Sequence, residues 1–314
     1  MPAEYKGFAK IKNNVGKVVW STLTLISPTL NTKALYLRMF HKKLDLNNPK
    51  TLNQKLLWLK LNRYMKDPLV IQCADKYLVR DYVKACGCEE ILNELLGAWD
   101  SPEEIDWNSL PEKFAMKWNF GAGFNLICDD KAQLNQQAVV KQFKKWKKSK
   151  CWLPHSEMQY KYIPKKIICE KYLNDGQGFL PVDYKVYCFH GKAKFVMACI
   201  GRDLGKPKFL FFDSHWNLAR INRDSVAAPE NYKIEKTPAM EKLFEYAEKL
   251  SKPFPFVRAD FYILGDRVYF GELTFTPAGA LDNAYFPETD LMLGDMIDLS
   301  GYINAEKNRD ERKK

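Results

Sequence analysis

FVRADFYILGDRVYFGELTF, residues 256–275, decides how this chain is read. Two strings of alternating apolar residues flank Gly265, the pattern of a β-hairpin. Val257, Ala259, Phe261 and Ile263 share one face of the first strand, and Tyr269, Leu273 and Phe275 form the apolar set of the second. For both sets to share a face the loop must be odd in length, which predicts a three-residue Leu264-Gly265-Asp266 turn with a bulge. The same register gathers Arg258, Asp260, Glu272 and Thr274 on the opposite face, with Arg258 close to opposite Glu272. Two carboxylates and a guanidinium on one strand face suit a hard divalent cation plus phosphate. The alternative is a solvated polar face containing an Arg–Glu pair.

Outward from this hairpin, period-2 strings recur at KFAMKWNF (113–120), KIICEKYL (166–173), DYKVYCFHGKAKFVMACI (183–200) and KFLFFD (208–213). They alternate with helical stretches near residues 131–149 and 238–250. Tight turns such as His190-Gly191-Lys192 imply mainly antiparallel pairing, so the chain reads as α+β. The first 75 residues read as helical. In NPKTLNQKLLWLKL (48–61), Thr51 is the expected N-cap and Gln54 completes a capping box. Asp75 is expected to cap a further helix, DKYLVRDYVKA, that ends near Gly87. Val18 to Leu30 mixes Val, Trp, Leu and Ile with nearby lysines. It reads as a membrane-surface helix or as a core-facing helix broken at Pro28, the latter being the expectation.

The chain's 314 residues, 46% of them hydrophobic, suffice for two or three packed units with a sizeable core. No segment reaches the ~18 consecutive apolar residues of a membrane span, and no signal-peptide pattern opens the chain, so a cytoplasmic protein is expected. The eight cysteines show no C-x-x-C pair or ligand spacing, which fits reduced thiols and not zinc. His41, His155, His190 and His215 draw no catalytic role. P-loop, Rossmann, zincin and hydrolase motifs are absent. So is Asp-x-Asp, which weakens a sugar-nucleotide glycosyltransferase reading. There is no internal repeat, and the only biased tract is the charged tail NRDERKK.

The net charge of +11 is concentrated in two blocks. Residues 1–50 carry nine Lys or Arg against Glu4 and Asp45, and residues 141–166 carry nine Lys against Glu157. A polyanionic partner follows from such fields, but the charge alone does not choose it. In QQAVVKQFKKWKKSKCW (136–152), Val139, Val140, Phe143 and Trp146 follow helical spacing with lysines on the other faces. That segment is a solvated surface helix or a contact for an acidic glycan, and no recognition motif supports nucleic acid.

Three further segments carry chemistry. KFAMKWNFGAGFN (113–125) places Lys117 on a strand before Gly121-Ala122-Gly123, where glycines let backbone N–H groups approach phosphate. KIICEKYLNDGQG (166–178) ends a strand in Glu170-Lys171-Tyr172-Leu173 before a Gly-rich linker. PVDYKVYCFHGKAKFV (181–196) opens with Asp183 and Lys185. In this order, and together with NPKTLNQKLLWLK, the segments resemble the ATP-grasp fold and most closely its TupA-like family, associated with bacterial surface-polysaccharide synthesis. The resemblance spans about residues 35 to 300.

The resemblance implies two mainly antiparallel lobes clasping ATP. The expected organisation is a helical region at 1–74, a first lobe at 75–175, a second at 176–300 and a tail at 301–314. By that likeness Lys76 and Lys117 bind phosphate, and Gly121, Ala122 and Gly123 form the loop that closes over it. Glu170, Lys171, Tyr172 and Leu173 form the hinge that reads adenine, with Glu170 taking part. Asp183 holds the ribose hydroxyls, with Lys185 beside it in the nucleotide site. Arg258 stabilises the transferring phosphoryl group, with Lys117 as a second catalytic cation. Asp260, Glu272 and Thr274 hold Mg²⁺, although many ATP-grasp ligases have asparagine where Thr274 stands.

The implied activity is an ATP- and Mg²⁺-dependent carboxylate–amine ligase acting through an acyl phosphate. Its expected substrates are a uronate of an acidic surface glycan, or its precursor, and an amine or amino acid. The basic segments suggest peripheral contact with the inner face of a membrane. The alternatives are a glycosyltransferase in the same synthesis and a catalytically silent binding protein.

Overall fold

The computed structural model describes residues 16–174, 181–201 and 207–304. The Gly-rich linker after Asn174, the basic residues Lys6, Lys10 and Lys12, and the tail NRDERKK therefore lie outside the described residues. A first helix, α1, occupies residues 16–26, and Ser27 interrupts it with an extended backbone before α2 (Pro28–Phe40), so the break falls where proline starts the next helix. Thr51 and Gln54 form the expected capping box on α3 (Leu52–Leu59), which runs on into a π-helical turn, Lys60–Tyr64. After α4 (Pro68–Ala74), the Asp75 carboxylate accepts from the amides of Tyr77 and Leu78 and starts the turn that leads into α5 (Val79–Ala85).

The strands form two sheets. The first contains β1 (Leu95–Trp99), β2 (Phe114–Trp118), β3 (Asn125–Cys128) and β4 (Ile167–Lys171), in the order β1-β4-β2-β3. Helix α6 (Gln136–Lys147) packs on it through Phe143, whose carbonyl accepts from the Trp118 indole N–H. The second sheet contains β5 (Asp183–Phe189), β6 (Lys192–Ile200), β7 (Lys208–Asp213), β8 (Phe256–Leu264) and β9 (Arg267–Thr274), in the order β7-β6-β5-β8-β9. Every pairing in both sheets is antiparallel, so the α+β expectation is met. His190 and Gly191, both at positive φ, make the tight β5–β6 turn. Helices α7 (Arg223–Ala227), α8 (Pro238–Ser251) and α9 (Pro287–Asp295) complete the second half. Two strands escape the alternation pattern, the edge strands β1 and β3.

The β8–β9 hairpin departs from the expected turn. Leu264 pairs with Arg267, so the loop is the two residues Gly265-Asp266, and the bulge lies inside the ladder at Gly271. Before the bulge Tyr262 faces Tyr269; beyond it Asp260 faces Glu272 and Arg258 faces Thr274. Tyr269 therefore shares the phase of Arg258 and Asp260, not that of Leu273, and Arg258 is opposite Thr274 rather than Glu272. Glycine suits the bulge, because a Cβ on Gly271 would stand 3.0 Å from the Asp260 carbonyl oxygen.

The N-terminal helices tie the halves together. Tyr64 Oη donates to the Phe256 carbonyl at 2.8 Å, and Asn53 exchanges hydrogen bonds with Asp282 while its amide donates to Asp290. Gly294 of α9 leaves room for Lys50 and Thr51 against it. Thr24, Asn31, Thr32, Leu35 and Tyr36 are buried, but Val18, Val19, Leu25, Ile26 and Leu30 are exposed. The segment breaks at Pro28 as expected and packs on the protein through Thr24 and the partly buried Trp20, but most of its large apolar side chains face outward.

Lys60 is fully buried, its ammonium donating to the His155 carbonyl at 2.8 Å. Burial, only partly opposed by Glu157, pulls its pKa down to about 8. The folded state therefore binds this proton less tightly than the unfolded chain, so stability should rise with pH between about 8 and 10.5, by up to about 1.4 kcal/mol per pH unit. Urea titrations across that window check this. In Lys60→Met this contribution to the slope should vanish.

Candidate active site

A cleft of about 460 Å³ opens between the two sheets. Its volume falls within the ~300–1,000 Å³ usual for small-molecule sites. Lys76, Lys117, Gly121, Ala122, Gly123, Glu170, Lys171, Tyr172, Leu173, Asp183, Lys185, Asp260 and Glu272 all line it. Arg258 and Thr274 are absent from the lining and stand behind Asp260 and Glu272, one rung deeper on the same strand face.

The second sheet builds its wall from two rungs. Lys185, Asp260 and Glu272 are register partners across β5, β8 and β9, and Tyr187, Arg258 and Thr274 form the next rung. Because the rungs are two residues apart, all six project to one face. Asp260, 3% exposed, accepts from Arg258 at 2.7 Å through each carboxylate oxygen and from Lys185 at 2.8 Å. Lys185 also pairs with Asp183 at 2.5 Å. Thr274 Oγ1 accepts from Arg258 at 3.2 Å and donates to Glu272 at 3.0 Å, while Glu272 pairs with Lys76 at 3.3 Å.

Electrostatics follow from this packing. Burial would raise the pKa of Glu272, but Lys76, Arg258 and Lys185, with the Thr274 hydroxyl, bring it down to about 2. Burial likewise opposes the charge on Lys185 and Arg258, yet Asp260 outweighs it and both are held above their ordinary values. Glu272, Lys185 and Arg258 are therefore charged at neutral pH.

The first sheet supplies the opposing cations. Lys117 on β2 and Glu170 on β4 are diagonal neighbours, and Lys117 Nζ lies 2.7 Å from the Glu170 carboxylate. Glu170 also accepts from Arg80 at 3.2 Å, whose other nitrogen donates to the Asn93 carbonyl. The Glu170 carboxylate is thus committed to two cations. Lys76 follows Asp75, and its amide donates to the Asn119 carbonyl while its ammonium donates to the Gly121 carbonyl at 2.6 Å. Asn119 in turn donates to buried Asp75 at 2.8 Å. Gly121 and Gly123 both have positive φ, and a Cβ on Gly121 would meet Cys151 Sγ at 2.9 Å. Arg80 and Asn119, which position Glu170 and Lys76, draw no role from the sequence, and Asp75 draws only that of a helix cap. Their only sequence signal is a polar side chain beside an apolar strand or helix.

Asp260 and Glu272 bring carboxylates together on adjacent strands, a donor type that fits Mg²⁺ completed by phosphate oxygens and water, with both Asp260 oxygens already accepting from Arg258. Among the described residues no group of three or more His, Cys, Asp or Glu is placed to hold a metal by itself, so such an ion would depend on a bound phosphate. All eight cysteines are free, and the four histidines are exposed.

The family model described as TupA-like ATPgrasp matches residues 54–298. The chain belongs to the TupA-like ATP-grasp family. Its two antiparallel sheets and the cleft between them are thereby the two lobes of an ATP-grasp fold. No curated protein matches the chain. Among solved structures it is similar to the D-alanine–D-alanine ligase of Bacillus anthracis, at 13% identity over 77% of this chain and 71% of that one, with a TM-score of 0.45. It is similar also to the D-alanine–D-alanine ligase of Helicobacter pylori, at 18% identity over 73% of this chain and 62% of that one, with a TM-score of 0.43. A third is the L-amino acid ligase of Bacillus licheniformis, at 12% identity over 67% and 44%, with a TM-score of 0.43.

Removing the Asp260 charge leaves Arg258 and Lys185 buried beside one another without their shared anion. Asp260→Asn should lower unfolding free energy by about 3 kcal/mol, within the range for breaking a buried pair. Equilibrium urea unfolding measures it, and a loss under about 1 kcal/mol, the usual worth of an exposed pair, would mean that the cluster is solvated.

Proposed function

We propose that the protein is an ATP- and Mg²⁺-dependent carboxylate–amine ligase. The observation that carries this reading is the cleft itself. Lys76, Lys117 and the Gly121–Gly123 loop stand on one side, and the Lys185–Asp260–Glu272 rung stands on the other. Such a cleft suits a nucleoside triphosphate whose phosphates are held between fixed cations and a carboxylate-bound metal.

In this reading Lys171 to Leu173 present backbone to the adenine, Asp183 receives the ribose hydroxyls, and Lys76 and Lys117 hold phosphate oxygens. Asp260 and Glu272 would hold Mg²⁺, which would supply positive charge to offset that of the phosphates. Thr274 orients Glu272 through its hydroxyl and is a poorer ligand than the asparagine of many relatives. Arg258, anchored by Asp260, fixes the positive potential behind the γ-phosphate.

A carboxylate oxygen of the first substrate attacks the γ-phosphorus, the bond to the β-phosphate oxygen breaks, and ADP leaves. The resulting acyl phosphate is attacked at its carbonyl carbon by an amine, which loses a proton as phosphate departs. No protein nucleophile is needed, consistent with cysteines that are mostly buried. Closure of the Gly121–Gly123 loop keeps water from the acyl phosphate. For the substrates we infer a uronate of an acidic surface glycan, or its precursor, and an amine or amino acid. The exposed lysines on and just after α6, Lys141, Lys144, Lys145 and Lys148, support an acidic glycan. A location on the cytoplasmic side follows from that assignment.

Two measurements test the proposal. Lys117→Ala should weaken ATP binding by about tenfold or more by calorimetry, since a buried charge-assisted contact is worth about 1.5–3 kcal/mol. With ATP, Mg²⁺, a uronate and an amine panel, ADP and phosphate should appear only when both acceptor and amine are present. Consumption of a nucleotide sugar without ATP would instead establish a glycosyltransferase.

A further inference from the structure

We propose that the outer face of α1 and α2 docks on an anionic lipid surface. Of the fourteen large apolar side chains exposed among the described residues, seven lie within residues 18–39: Val18, Val19, Leu25, Ile26, Leu30, Leu37 and Met39. Leu25 and Ile26 are 66% and 70% exposed. A helix packed on a soluble core turns such residues inward. Here the inward face is already occupied. Thr24 donates to the Leu153 carbonyl at 2.6 Å, and Asn31 donates to Thr24 at 2.8 Å and to Ser156 at 3.0 Å. That buried polar network fixes the rotation of both helices and leaves the apolar side outward.

The exposed residues form a stripe. Ile26, Leu30, Lys33 and Leu37 follow spacings of four, three and four, and Val18, Thr22 and Leu25 extend the pattern on α1. The extended Ser27 separates the two rows, and the Asn31–Thr24 hydrogen bond across the break sets the inward sides of both helices together.

Charge decides the occupant. Lys17, Lys33, Arg38, Lys42 and Lys43 are exposed around the stripe, and no Asp or Glu lies between Glu4 and Asp45. A second copy of the chain seated on this face would set like charges against one another. A bilayer with anionic headgroups receives both components at once, the apolar side chains entering the acyl boundary and the cations meeting phosphate. No helix of the described residues is long and apolar enough to cross a membrane, so the contact lies on the surface. This surface is separate from the cleft, and its docking does not depend on the activity proposed there.

Sedimentation of the full chain with vesicles tests it. The protein should pellet with phosphatidylglycerol vesicles and not with phosphatidylcholine vesicles, and rising salt should release it. The triple variant Leu25→Ser, Ile26→Ser, Leu30→Ser should keep its circular dichroism and thermal midpoint but stay in the supernatant, and Lys33→Gln should weaken partition about fivefold. The proposal is overturned if the wild type ignores phosphatidylglycerol, or if the triple variant pellets equally. It is also overturned if light scattering finds a dimer that the triple variant dissolves. ATP binding measured on the same variants should not change, so a failed cleft reading leaves this result standing.

Discussion

The Asp260 carboxylate is the point on which the rest of the site depends. It is almost wholly buried, and a carboxylate taken out of water is tolerated only when partners replace the lost hydration. Arg258 fills both oxygens with one planar fork, and Lys185 arrives from the neighbouring strand. The arrangement requires β5, β8 and β9 in this register, because Lys185, Asp260 and Glu272 are one rung of the ladder. A slip by one residue on any of the three strands would send one charge into the apolar core. The sheet register and the charge constellation therefore enforce one another.

A second constraint acts from the first sheet. Lysines with free ammonium groups lose rotamer entropy when held, so the protein supplies partners that hold them. Asn119 and Asp75 fix the backbone at Lys76, and Glu170, braced by Arg80, holds Lys117. Lys76 bridges from the Gly121 carbonyl to Glu272 on the opposite sheet, so one ammonium joins the glycine loop to the carboxylate wall across the cleft.

Much of this was legible in the sequence, and the failures have physical reasons. Alternation is cleanest at β2, whose residues are buried and half-buried in turn, while β5 and β8 are marked by apolar runs because most of their residues on both faces are buried. Leu95–Trp99 shows no alternation because it is an edge strand whose five residues are all half-buried, so no face imposes a period. Asn125–Cys128 is a four-residue edge strand, too short to display one. The site residues singled out from sequence line the cleft except Arg258 and Thr274, which stand one rung behind it, and Arg80 and Asn119 were invisible because their roles depend on contacts 90 and 44 residues distant. The exposed apolar stripe near the N-terminus was misjudged because periodicity locates a face without saying what covers it.

The hairpin shows how a wrong local assignment can leave a functional conclusion intact. Same-face residues across a hairpin depend on parity alone. A three-residue turn, and a two-residue turn followed by a one-residue bulge, have the same parity beyond the bulge. Arg258, Asp260, Glu272 and Thr274 are all beyond Gly271, so either geometry places them together; Tyr269 lies before it and changes sides. The two geometries differ in who faces whom, and that difference gives Thr274 its work. Opposite Arg258, its single hydroxyl accepts from the guanidinium and donates to Glu272 through one atom. An asparagine amide would split those functions between an oxygen and a nitrogen. The threonine instead ties the buried Arg258–Asp260 pair directly to Glu272, the more exposed carboxylate of the neighbouring rung.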